Sequence, residues 1–166
     1  MSLKEELRLE MIETCDAYHA LLAEVPDEAF PQPSDNPAWT IGEVLFHMSL
    51  APRFLTADLR MILGNHLLAK IFGALVPASL FNRLNEVYTR YGGRSQNRLS
   101  LARRYDRAHQ QALQALDKLQ EEDLKKSLEY PGYDPLLSGE VTVERLFRYI
   151  KLHFEIHARQ IREKMG

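Results

Sequence analysis

The chain has 166 residues, of which 27% are charged and 45% hydrophobic, a balance that suits one globular domain spanning 1–166 with a sizeable core. Its 21 basic residues are offset by 23 acidic ones, for a net charge of −2, which argues against a dedicated nucleic-acid binder. The single cysteine, Cys15, excludes an intrachain disulfide and a thiolate cluster; with no charged-then-apolar leader and no apolar run long enough for a bilayer, the expectation is a cytoplasmic protein with no membrane partner.

Four segments have helical periodicity, separated by clustered breakers. Helix 1 is expected over 3–24. The loop EVPDEAFPQPSDNPAW follows, carrying Pro26, Pro31, Pro33 and Pro37. Helix 2 is expected over 40–63. Its start is marked by a capping box of Thr40 and Glu43, with Trp39 and Val44 spaced as a hydrophobic staple. The stretch from 64 to 94 is too apolar for a plain linker and reads as one or two short helices broken at Pro77, ending at Gly92–Gly93. Helix 3 is expected over 95–120. The loop YPGYDPLLSG leads to helix 4 over 142–164, with Thr142 as its N-cap and Val141 and Leu146 at staple spacing. No run alternates like a strand for long. The fold class is therefore all-α, a four-helix bundle with a long crossover between helices 2 and 3 that contains short extra helices.

Helix 4 carries the most informative pattern, KLHFEIHARQ. At 100° per residue, Leu146, Ile150, His153, His157 and Ile161 share one stripe, while Arg145, Arg148, Lys151, Glu155, Arg159 and Arg162 lie opposite. Both histidines point toward the core, and Glu155 faces away from them. Buried imidazoles need partners. Two of them one turn apart can share hydrogen bonds within the core or converge on one cation at about 2.0–2.1 Å. A metal site needs a third ligand from elsewhere. His47 lies on the flank of the helix 2 stripe formed by Val44, Met48, Ala51, Leu55 and Ile62. His109 lies on the flank of the helix 3 stripe formed by Tyr105, Ala112 and Leu116. Periodicity leaves both open, while His19 and His66 read as solvated or locally bonded imidazoles. Neither Glu43 nor Glu155 has the Glu-x-x-His spacing of a diiron bundle.

The segments AWTIGEVLFHM and VERLFRYIKLHFEIHARQI resemble the DinB/YfiT-like superfamily, a group read as metalloenzymes. Trp39, Thr40, Glu43 and His47 match the family's start of helix 2, and His153, His157 and Gln160 match its last helix. Many members carry two adjacent histidines there, whereas Ile156 precedes His157 in this chain. The resemblance implies a metal-ligand triad of His47, His153 and His157, with catalytic residues unassigned. Three neutral imidazoles suit one divalent transition metal, Zn, Ni or Fe, without choosing among them. The resemblance further implies hydrolase-like chemistry, or transfer of a low-molecular-weight thiol cosubstrate, on a small-molecule substrate. The alternative is a non-catalytic helical-bundle binding or interaction protein with a structural or vestigial site.

The triad also bears on topology. His47 lies about 10 Å beyond the Thr40 cap, and His157 lies about 12 Å before the end of helix 4. The depths match if helices 2 and 4 run antiparallel, which predicts an up-down-down-up order with the crossover spanning 64–94. Other features carry simpler expectations. Arg83, Arg90, Arg94, Arg98, Arg103, Arg104 and Arg107 read as a solvated basic face. HLLAKIFGALVPASLF reads as a lid over the pocket or as a surface buried in a homodimer. Asp106 reads as a boundary residue with a second reading as the orienter of a ligand histidine, and Cys15 reads as a small core residue.

Overall fold

A computed structural model of the chain describes residues 1–64, 77–130, 134 and 136–166. His66 and most of the expected lid lie outside the described residues. The described chain is mostly helical: α1 (Leu3–Glu24), α2 (Ile41–Met48), α3 (Leu50–Leu63), α4 (Ala78–Gly93), α5 (Arg98–Lys118) and α6 (Val143–Met165), with 3-10 turns at Asp27–Ala29 and Glu121–Lys125. None of these helices is long and apolar enough to cross a membrane.

The caps follow from the local sequence. The Thr40 hydroxyl accepts from the Glu43 amide at 3.2 Å, and the Thr40 amide donates to the Glu43 carboxylate at 2.9 Å, closing the expected box. The Thr142 hydroxyl accepts from the Arg145 amide at the start of α6. Ser2 and Asn97 form equivalent boxes with Glu5 and Ser100 at the starts of α1 and α5.

Three expectations need correction. The stretch 40–63 is two helices rather than one, parted at Ser49. Pro52 has no amide hydrogen to give the Met48 carbonyl, so the helical ladder fails one turn before it. The Ser49 hydroxyl instead bonds back to the Phe46 carbonyl at 2.7 Å. The piece after Pro77 is a full helix of 16 residues, not a short one. Finally, the loop between α5 and α6 contains a hairpin, β1 (Ser127–Tyr130) paired antiparallel with β2 (Gly139–Thr142), in register Leu128↔Val141. Each strand has four residues, and the facing pair Leu128 and Val141 is buried.

Side-chain contacts fix the relative directions of the helices. Lys4 at the start of α1 donates to the carbonyls of Asp117 and Leu119 at the end of α5, and Arg98 at the start of α5 donates to the carbonyl of Val25. These two helices are antiparallel. Arg148 pairs with Glu10, and Arg162 with Glu24, so α1 and α6 run the same way. The Tyr18 hydroxyl donates to the Leu45 carbonyl, whereas Leu7 and Met11 pack with Leu55, Leu59 and Ile62. The α2–α3 pair therefore runs against α1, and hence against α6.

The core falls into two clusters. One contains Leu7, Met11, Leu55, Leu59, Ala112, Leu146 and Ile150; the other contains Tyr18, Leu45, Met48, Tyr105, Phe154 and Ile161. Between them four helices each contribute a buried polar side chain: Thr14 from α1, His47 from α2, His109 from α5 and His153 from α6. A polar layer thus crosses an otherwise apolar interior.

Close approach of α4 to α2 holds one side of this layer. A Cβ placed on Gly92 would lie 2.2 Å from the Phe46 ring, and one on Gly93 would lie 2.8 Å from the Glu43 Cα. Phe46 is fully buried and has little room to yield. Gly92→Ala should therefore lower stability by about 1–3 kcal/mol through overpacking, despite the better helix propensity of alanine. Chemical denaturation reads this directly, and an unchanged midpoint would contradict the close contact.

Candidate metal centre

The structure brings His47, His153 and His157 together. Their ring centroids are separated by 4.9 Å (His47–His153), 5.0 Å (His47–His157) and 4.6 Å (His153–His157). One ring nitrogen from each lies within 4.8 Å of those of the other two. His153 and His157 are one turn apart on α6, as their spacing requires. His47 comes from α2, where the capping box and the packing of Gly93 against Glu43 fix the helix. His47 and His153 are 8% and 5% exposed, and His157 is half-buried at the edge.

Hydrogen bonds orient the rings. The His47 Nδ1 lies 3.1 Å from the Thr89 hydroxyl, leaving Nε2 to face the Nε2 of His153 at 3.1 Å. The His157 Nδ1 lies 2.9 Å from the Gln160 Oε1. An amide oxygen accepts, so His157 carries its proton on Nδ1 and keeps a lone pair on Nε2. Such outer contacts set the tautomer and orientation of ligand imidazoles. Trp39 covers His47, with ring centroids 4.6 Å apart, and Tyr149 flanks His153 at 5.3 Å. The Tyr149 hydroxyl donates to the Asp134 carboxylate at 2.5 Å.

Electrostatics keep the three rings neutral. Burial pushes the pKa of His47 down to about 3, aided by the neighbouring His157. Burial, then His157 and His47, hold His153 well below its ordinary value. Burial lowers His157 as well, opposed by Gln160 and Asp134. Neutral imidazoles are what a cation requires. Two Nε2 lone pairs facing each other at 3.1 Å repel unless a proton or a cation lies between them. The Nδ1 of His153 is buried without a hydrogen bond. This donor set fits a borderline divalent cation, and the cluster could hold one.

The remaining expectations resolve as follows. His109 is buried and stacks on Tyr105 at 4.4 Å. Burial pushes its pKa down to about 4, partly offset by Asp106, and it is not among the converging rings. Asp106 orients none of the three; it lies 2.6 Å from the Nε2 of His19. Cys15 is half-buried beside Asp106, and burial followed by that carboxylate pushes its pKa up to about 12. Six of the seven arginines lie on α4 and α5, and Arg94 is the C-cap of α4. Arg90 pairs with Glu86, Arg98 pairs with Asp27, and Arg104 lies over the Phe46 ring at 4.9 Å.

Thr89 has no forerunner in the sequence reading. It is fully buried and sits 42 residues from its partner His47, and nothing in its neighbourhood on the chain marks it. Tyr149 was readable as the residue one turn before His153. Thr89→Val keeps the shape and removes the oxygen, so metal affinity at the triad should fall about 10–100-fold. Competition against a chelator measures this, and unchanged affinity would remove Thr89 from the centre.

A family model described as the DinB superfamily matches residues 10–161. No curated protein matches the chain.

Proposed function

The chain belongs to the DinB superfamily, and on that premise we propose that it is a metal-dependent enzyme acting on a small molecule, with His47, His153 and His157 as the ligands of one divalent cation. The observation that carries this reading is the convergence of three neutral imidazoles inside a polar layer of the core. Zinc, nickel and iron(II) all suit the donor set. The cation would supply Lewis-acid polarisation of a substrate oxygen or sulfur, as hydrolysis or transfer of a low-molecular-weight thiol requires.

The chain's own groups have separate tasks in this scheme. Thr89 and Gln160 hold the rings of His47 and His157 in register. Trp39 shields the inner side of His47 from water. Half-buried His157 is the side from which a small molecule approaches. Burial keeps the Tyr149 phenol protonated, and Asp134 fixes it where it can hold a proton beside the ligands.

The architecture belongs to the same proposal: one domain over 1–166, a four-helix bundle in up-down-down-up order, with α2 and α3 together forming the second helix. The antiparallel relation of α2–α3 to α6 supports that order. We also place the protein in the cytoplasm, with no nucleic-acid or membrane partner, and as a homodimer. Exposed Leu80, Leu84 and Tyr91 on α4 favour the dimer, and sedimentation reads the state.

The test of function uses tag-free protein loaded with each metal. It is assayed against activated esters and amides, and against electrophiles with a low-molecular-weight thiol. Turnover that disappears in His47→Ala carries the enzyme reading. A structural site instead predicts full metal binding, no turnover, and unfolding when the metal is chelated. The apolar clusters on both sides of the layer lead us to expect a folded apo protein.

A further inference from the structure

A second group of ligand-type side chains lies between α1 and α5, away from the triad. Cys15 and His19 are one turn apart on α1, and Asp106 faces them from α5. The Nε2 of His19 is 2.6 Å from the Oδ1 of Asp106, and the Sγ of Cys15 is 3.7 Å from the same oxygen. The sulfur, the nitrogen and the oxygen all lie within 4.8 Å of one another.

This arrangement differs from a nucleophilic cysteine site. There the imidazole stands between thiol and carboxylate, taking the thiol proton on one nitrogen and being held by the other. Here the carboxylate stands between, and a single oxygen faces both donors. A solvent-exposed His–Asp pair contributes roughly 0–1 kcal/mol and gains nothing from a thiol beside it. Asp106 also has no lysine or arginine partner among the described residues, so its charge is met by a titratable imidazole and a thiol alone.

We propose that Cys15, His19 and Asp106 form a second metal site, on the flank of the bundle between α1 and α5, which takes one zinc-like divalent transition-metal ion through sulfur, nitrogen and oxygen. Tetrahedral coordination at ordinary bond lengths separates N from O by about 3.3 Å and S from either by about 3.5 Å. The observed 2.6 and 3.7 Å are within about 1 Å of these values, a shift that side-chain rotation supplies. Binding replaces the thiol proton, which leaves to solvent, with the cation, and takes the Nε2 lone pair of the neutral His19 tautomer that carries its proton on Nδ1. His19 also borders a cavity of about 710 Å³ lined by Leu22, Phe30 and Arg98, which leaves room for a fourth ligand. Side-chain exposures of 41% for His19 and 51% for Asp106 give an ion direct access.

Sulfur ligation separates this site from the triad spectroscopically. Cys15 is the sole cysteine, and the three histidines of the triad supply no sulfur. The full chain, stripped of metal and kept reduced without oxygen, is titrated with cobalt(II). The expected result is a thiolate-to-cobalt charge-transfer band in the near ultraviolet that saturates at about one equivalent. The band should be absent in Cys15→Ser. Its midpoint should weaken at least tenfold in His19→Ala and in Asp106→Asn. It should persist in the double variant His47→Ala/His153→Ala, so loss of the triad and loss of this site are read apart. A wild-type protein saturated with cobalt but lacking the band would overturn the proposal. So would a band indifferent to both His19→Ala and Asp106→Asn, since that describes a thiol binding metal on its own.

Discussion

Between pH 6.5 and about 4.5 the metal-free protein is expected to lose a large part of its stability. His47 and His109 are neutral in the fold, with pKa values pushed down by burial to about 3 and about 4, and His153 is held well below its ordinary value. In the unfolded chain the same imidazoles bind protons near pH 6.5. The unfolded state therefore carries more protons throughout this window, so stability is fullest above pH 6.5 and falls as the pH descends toward the folded values. Each independent histidine removes a little over 1 kcal/mol per pH unit. In the fold a proton on His47 opposes a proton on His153, while in the unfolded chain each binds its own, so both contribute. The three rings together remove about 6–8 kcal/mol by pH 4.5, against a typical total of about 5–15 kcal/mol. Urea denaturation at a series of pH values measures the slope. A midpoint unchanged between pH 7 and 4.5 would mean that these rings are not held neutral. Saturating zinc should raise the midpoint at pH 7 and lose that effect near pH 5, because protons compete for the same lone pairs.

His153→Ala should reduce metal affinity at the triad by more than about 100-fold, beyond the loss of an outer hydrogen-bond partner. Three protein ligands leave no redundancy, and the Nε2 of His153 faces that of His47 at 3.1 Å in a layer shielded from water. His47→Ala and His157→Ala should behave alike, whereas His19→Ala should leave the triad intact. The comparison is cleanest in a Cys15→Ser background, where sulfur ligation is absent. Equal affinity across all four histidine variants would sink the triad. The variant should also flatten the acid profile, since it removes one of the rings whose protonation drives the loss of stability.

Much of the scaffold was legible because its signals are local. The Thr40–Glu43 box and the Thr142 cap depend on residues three apart, and the stripe of α6 depends on a fixed period. The expected bounds of α1 coincide with Leu3–Glu24. The pairing of His153 with His157 needed no more than helical geometry. His47 could not be chosen over His109 by periodicity, since both lie on the flank of a stripe; family resemblance favoured His47, and His109 is not among the converging rings. The break at Ser49 was present in the sequence as Pro52, whose effect appears one turn upstream of itself. The hairpin escaped because four residues per strand are too few to establish alternation, and the pairing of Leu128 with Val141 is not local. Thr89 and the Cys15–His19–Asp106 group escaped for the same reason. Each is made by a side chain on one helix meeting another helix, and no single-segment pattern records which faces will meet.

The measurement that bears most directly on the central claim is anomalous diffraction from crystals of the full chain grown with zinc, collected on both sides of the zinc edge. The account predicts a peak about 2.0–2.1 Å from a ring nitrogen of each of His47, His153 and His157, separate from any zinc at Cys15, His19 and Asp106. Fully occupied zinc found solely elsewhere on the protein, with the three rings still hydrogen-bonded to one another, would contradict it.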